Sequence, residues 1–197
     1  MCQNIQALSN ADLLALLVGV KAARRILKDA GGSFSAMLNE PAAHYYLDPK
    51  LNMKLQAAKE LIRRSLMEPL RRRDMLTSPE LVRNYLRLTL EGREHEVFLA
   101  IFMDAQNRVI ATEELFRGTL SQTSVFPREV VKRSLFHNAA AICFCHNHPS
   151  GLCEASHADE VLTTALKSAL QLIDVKVIDH FIVGAGCSIS FAEKGLL

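Results

Sequence analysis

The sequence predicts an α+β fold, a mixed or largely antiparallel sheet held between helices behind a helical N-terminal segment. Three observations predict it. Glu96–Met103 and Arg108–Leu115 are strand-like runs on either side of Asp104-Ala105-Gln106-Asn107, a turn composition that makes them a hairpin. The short, continuously apolar run Ala139–Cys145 reads as a buried strand between two helical patterns. Val175–Val183 and Ser188–Phe191, joined by Gly184-Ala185-Gly186, give a second hairpin near the end of the chain.

In order, Asn10 can cap a helix from Ala11 to about Asp29, with Leu13, Leu14, Leu16, Leu17, Val20, Ile26 and Leu27 as a broad apolar face and Gly31-Gly32 ending it. Further helical patterns fall at Ser35–Leu38 and Lys50–Leu66. Ser78, with Glu80 nearby, caps a helix to Leu90; Pro127 starts one over Arg128–His137; Ser156 opens one to Ile173. Repeats and low-complexity segments are absent from the sequence.

The length of 197 residues suits one domain of ordinary size with a small appendage, and a hydrophobic fraction of 49% is enough for a packed core. No segment has the apolar length that spans a membrane. Leu13–Val20 has no basic stretch before it and shows helical periodicity, so it reads as a core helix and not a signal peptide. Five cysteines (Cys2, Cys143, Cys145, Cys153, Cys187) make an odd number without framework spacing, which argues against a secreted disulfide scaffold and for the cytoplasm. Residues 1–75 hold 12 Lys/Arg against 7 Asp/Glu, and residues 76–197 hold 11 against 14. That split marks a boundary near Arg71-Arg72-Arg73, just after Pro69. A basic appendage on an acidic domain permits nucleic-acid contact, although short basic runs are more often solvated helix ends.

The chemistry is concentrated in Cys145-His146-Asn147-His148-Pro149-Ser150-Gly151, followed by Ser156 and Asp159. Side chains alternate on a strand, so His146 and His148 leave its end pointing the same way, half of a tetrahedral zinc shell. Pro149 and Gly151 turn the chain, and the helix opened by Ser156 brings Asp159 back toward the histidines. Three ligands would leave one position open, the shell of a catalytic zinc site. Ser156-x-x-Asp159 also resembles a capping box, and alone that reading would prevail. With two histidines just upstream, metal ligation by Asp159 is favoured. Cys145 and Cys153 flank the motif and could ligate zinc, but Cys145 points opposite to His146, and it and Cys143 read better as buried small hydrophobes. His44, His95, His137, His157 and His180 are assigned no role.

At these residues the chain resembles the JAMM (MPN+) metalloproteases, whose signature is His-x-His, seven residues, Ser, two residues, Asp. The string His146-Asn147-His148-Pro149-Ser150-Gly151 is similar to the bacterial RadC-type branch, as are Phe116-Arg117-Gly118-Thr119-Leu120, Pro127-Arg128-Glu129-Val130, Val175–His180 and Ser190–Gly195. The resemblance implies a JAMM/MPN-like, cytidine-deaminase-like mixed sheet over residues 77–197. Ahead of it, residues 1–73 resemble a small helix-hairpin-helix domain. The family's Gly-hydrophobic-Gly turn is replaced here by Asp48-Pro49-Lys50-Leu51-Asn52-Met53-Lys54, and without bare backbone amides a phosphate loses its cradle.

The resemblance further implies that His146, His148 and Asp159 hold Zn²⁺ to activate water, and that Glu96, before the first strand, is the general base. Glu94, sharing its face, is the runner-up. Ser156 would hydrogen-bond the oxyanion. Glu113 and Glu114 read as surface acids, and Asp104, Asp174 and Asp179 as turn or packing residues. Hydrolysis of a peptide or isopeptide bond is the implied reaction, with an unknown protein or peptide as substrate and no membrane partner. Weak, non-specific DNA contact through Arg63, Arg64 and Arg71–Arg73 is a further expectation. A DNA-associated repair or processing factor, and a non-catalytic MPN scaffold with a structural zinc, are the alternatives.

Overall fold

The computed structural model describes residues 5–31, 48–118 and 125–197. The expected helix at Ser35–Leu38, and Cys2, Gly32 and His44, lie outside these. The chain packs as two units, Met1–Arg64 and Ser65–Leu197.

In the first unit the expected single helix is two: α1 (Asn10–Val18) and α2 (Val20–Asp29). Gly19 separates them at φ +85°, a conformation only glycine adopts without strain. The cap is Ser9, not Asn10; its Oγ accepts from the Asp12 N–H at 3.2 Å. The break also reorients the apolar face. Leu14, Val18, Ala23 and Ile26 are buried with Leu55, whereas Leu16, Leu17 and Val20 are exposed. Helix α3 (Pro49–Arg72) starts with Asp48, whose side chain accepts from the Lys50 N–H and whose carbonyl accepts from Leu51 and Asn52. The position of the family's glycine turn is therefore a capped helix start with its amides engaged. α3 runs past the expected Leu66 and through Pro69. Met67 and Leu70 of its last turns are buried in the core of the second unit, which offsets the hydrogen bond a proline forfeits.

The second unit is built on a five-stranded sheet of order β2-β1-β3-β4-β5. Helix α4 (Pro79–Leu90) precedes β1 (Val97–Met103) and β2 (Val109–Arg117); α5 (Pro127–Phe136), β3 (Ala141–Asn147), α6 (His157–Gln171), β4 (Lys176–Val183), β5 (Ser188–Ser190) and the single turn α7 (Phe191–Lys194) follow. Only β3 and β4, joined through α6, are parallel; the other pairs are antiparallel. The sheet is thus mixed. Among the described residues, no helix is long and apolar enough to cross a membrane.

Both faces are covered, which explains why β1 and β3 are apolar throughout rather than alternating. One face packs Leu99, Ile101, Cys143, Cys145 and Phe181 under Tyr85, Leu86 and Leu90 of α4. The other packs Phe98, Phe102, Ile142 and Phe144 under Val130 of α5 and Leu166 and Leu170 of α6. Each buried Val, Leu, Ile or Phe among them contributes roughly 1.5–3 kcal/mol by leaving water. β4 carries a bulge, since Ile142 pairs with Val177 but Cys143 with Asp179. The extra residue reverses the alternation, so His180 faces the same side of the sheet as Val177.

Candidate metal centre

β3 extends two residues beyond the expected Cys145, so His146 is still in the sheet, paired with Phe98 on one side and Ile182 on the other. His148 continues the pairing through its N–H to the Val183 carbonyl at 2.9 Å. The period of two then puts both imidazoles on one side. α6 supplies the third group from its first turn. His146 Nε2 lies 3.2 Å from Asp159 Oδ1, His148 Nε2 lies 3.6 Å from Asp159 Oδ2, and the two Nε2 atoms are 3.0 Å apart. Tetrahedral zinc with bonds of about 2.0–2.1 Å would place neighbouring donors about 3.3 Å apart, so the observed separations bracket the required edge. Among the described residues, these three form a group that could hold a metal ion. Two imidazoles and a carboxylate are a donor set that suits zinc.

Each donor is held from behind. His148 Nδ1 faces the Leu152 carbonyl at 3.2 Å, and His146 Nδ1 faces His180 Nε2 at 2.9 Å. Both rings therefore turn Nε2 toward the cluster. His180, expected to do nothing, is fully buried on β4, with Nδ1 2.7 Å from Thr163 Oγ1. Ser156 forms a full capping box with Asp159: its N–H and hydroxyl both donate to Asp159 Oδ2, at 2.8 and 2.6 Å, and its Oγ accepts from the Asp159 N–H. The cap and the site share these residues rather than compete for them.

Charge follows the geometry. Burial opposes ionisation of Asp159, but hydrogen bonds with His146 and His148 outweigh it and hold the carboxyl far below its usual range. His148 is raised by its bond to Asp159, against burial, with the Leu152 carbonyl and the charge of Glu96 adding to the effect. Burial pushes His180 well below its ordinary value, so it is neutral.

Glu96 sits immediately before β1, two residues ahead of Phe98, the residue opposite His146, and its charge is felt at His148. Asn147, not singled out in the sequence, holds that segment. Its Oδ1 accepts from the Val97 N–H at 2.9 Å, and its Nδ2 donates to the carbonyls of His95 at 3.1 Å and Arg93 at 3.4 Å. Glu94 is exposed and lies in a bend, where strand alternation no longer places it beside Glu96.

Cys153 is not a free thiolate for the site: it is bonded to Cys187, tying the loop between the donors to the β4–β5 turn. The spacing of the cysteines gave no sign of this pair, because it joins residues 34 apart through the fold. The Ala185 N–H donates to the Gly151 carbonyl at 2.9 Å, and a Cβ on Gly184 would lie 2.3 Å from that oxygen, so the loop seats on a turn that must be glycine. Cys143 and Cys145 are buried with thiols pushed up by burial, as inert core residues. Glu113 is not a plain surface acid, since Arg133 and His137 both bond it. Asp179, read as packing, is buried and accepts from the Ser190 hydroxyl and the amides of His180 and Ala192.

Comparison with known proteins places the chain in a family. Residues 76–196 match the RadC-like JAB domain family. The chain is similar to a UPF0758 protein of Nitrosospira multiformis, 54% identical over 201 residues that span 96% of this chain and 90% of the relative. It is 51% identical to one of Nitrosomonas europaea (97% and 90%) and 46% identical to one of Chromobacterium violaceum (100% and 93%).

Proposed function

Because the chain belongs to the RadC-like JAB domain family, whose members can be metal-dependent hydrolases, we propose that it is a zinc-dependent hydrolase of peptide or isopeptide bonds. The observation that carries the reading is the convergence of three donor atoms with both imidazole Nδ1 atoms engaged elsewhere. His146, His148 and Asp159 hold the zinc. Bound zinc supplies Lewis acidity, which makes water an effective nucleophile near neutral pH. Glu96 takes the proton of the attacking water and returns it to the leaving nitrogen. Ser156 keeps its N–H on Asp159 while its hydroxyl turns to the developing oxyanion, a role in which one donor is typically worth about 3 kcal/mol. The substrate class is a peptide or isopeptide bond in an unidentified protein or peptide.

The test is a screen of the zinc-loaded chain against quenched-fluorescence peptides and isopeptide-linked conjugates. Glu96→Gln should keep its zinc and its stability, yet lose roughly a hundredfold or more in rate. Asp159→Asn should instead weaken metal binding, because a neutral amide is a poor substitute for a charged ligand. Full activity in Glu96→Gln with none in Glu94→Gln would move the base by two residues. Full activity in both would rule the mechanism out.

A further inference from the structure

We infer that His180 and Thr163 form a positioning relay that fixes the tautomer and orientation of His146, and so sets how tightly the centre binds its metal. The inference rests on the metal reading above. A fully buried histidine needs partners for both ring nitrogens, and here each partner leads to a different part of the centre. The bonds have a direction. Thr163 Oγ1 donates to the Asp159 carbonyl at 2.6 Å, so it accepts from His180 Nδ1–H at 2.7 Å. His180 Nε2 then carries a lone pair and accepts from His146 Nδ1–H at 2.9 Å. With a metal bound, that leaves the lone pair of His146 Nε2 for the ion, on the side that faces Asp159 Oδ1. The opposite polarity would put the proton of His146 on Nε2, facing the cluster, where it would block a metal.

The relay joins two of the donors through the core. It begins on the backbone of Asp159 in α6, crosses to β4, and ends on the ring of His146 in β3. Thr163 is four residues from Asp159, so it lies one turn along the same buried face of α6, above Leu166 and Leu170. The bulge in β4 turns His180 to this face, where its ring also meets Phe98, Phe144 and Phe191.

The test uses the full chain, with zinc affinity measured by competition against a chromophoric chelator and the site geometry read from the visible spectrum of bound Co²⁺. His180→Phe, which keeps the aromatic packing, should weaken zinc binding roughly 10- to 100-fold and change the cobalt spectrum. His180→Gln, which keeps an acceptor for His146, should bind more tightly than His180→Phe even where its metal-free form unfolds at lower temperature. Thr163→Val should weaken binding several-fold and Thr163→Ser should restore it; this pair decides the matter if His180→Phe does not fold. Wild-type affinity and spectrum in His180→Phe and Thr163→Val, with metal lost in His146→Ala, would overturn the relay and leave the metal reading standing. Unchanged zinc binding in His146→Ala would overturn both.

Discussion

Asn147 stands between the two imidazoles in sequence and faces the other side of the sheet. Its buried amide satisfies the Val97 N–H and two carbonyls of the segment that carries Glu96. Asn147→Ala leaves that N–H buried without an acceptor, at a cost of about 1–3 kcal/mol. It should therefore lower the denaturation midpoint and slow turnover while zinc content stays near the wild-type value, because the histidines are held by other bonds. Wild-type stability in the variant, or zinc lost in step with activity, would contradict this role. The grouping of His146, His148 and Asp159 was legible in the sequence because its geometry is local: a strand end and the first turn of the next helix. Asn147 and His180 were not. Their partners lie 50 and 34 residues away, and neither pairing leaves a periodic signal.

At the scale of elements, strands and helices followed from apolar patterning, while their ends followed from single residues. Gly19 splits a helix whose apolar periodicity runs straight through it. The bulge in β4 defeats alternation counted from Val175, which would send His180 to the opposite face. Between β2 and α5, Arg133 and His137 converge on Glu113. The Arg133 hydrogen bond, opposed by burial and helped by His137, holds Glu113 below the ordinary 4.5. A carboxyl lowered in the fold stabilises it above the unfolded value and loses that contribution as pH falls through the folded one. Glu113→Gln should lower the thermal midpoint by roughly 2–4 °C at pH 7. The gap to wild type should narrow below pH 4.5 and close in stronger acid, as thermal melts across that range would read. A gap that is constant with pH would mean that the ion pair contributes nothing.

At the scale of the whole molecule, the charge split between the halves of the sequence does not by itself make a nucleic-acid surface. Arg63 and Arg64 are paired with Glu60, and Arg72 with Glu68, on their own helix. The amides of residues 50–52 are taken by Asp48. Fluorescence anisotropy with a labelled duplex should find weak binding that largely disappears between about 50 and 200 mM salt. Tight binding at physiological salt would favour the DNA-processing reading over the hydrolase acting alone. The proposed hydrolase chemistry depends on the metal centre, and elemental analysis tests that most directly. After exposure to zinc and removal of excess, the wild-type chain should hold about one zinc. The His146→Ala/His148→Ala double variant should hold almost none, with its circular dichroism unchanged. Undiminished zinc in the double variant would contradict the account.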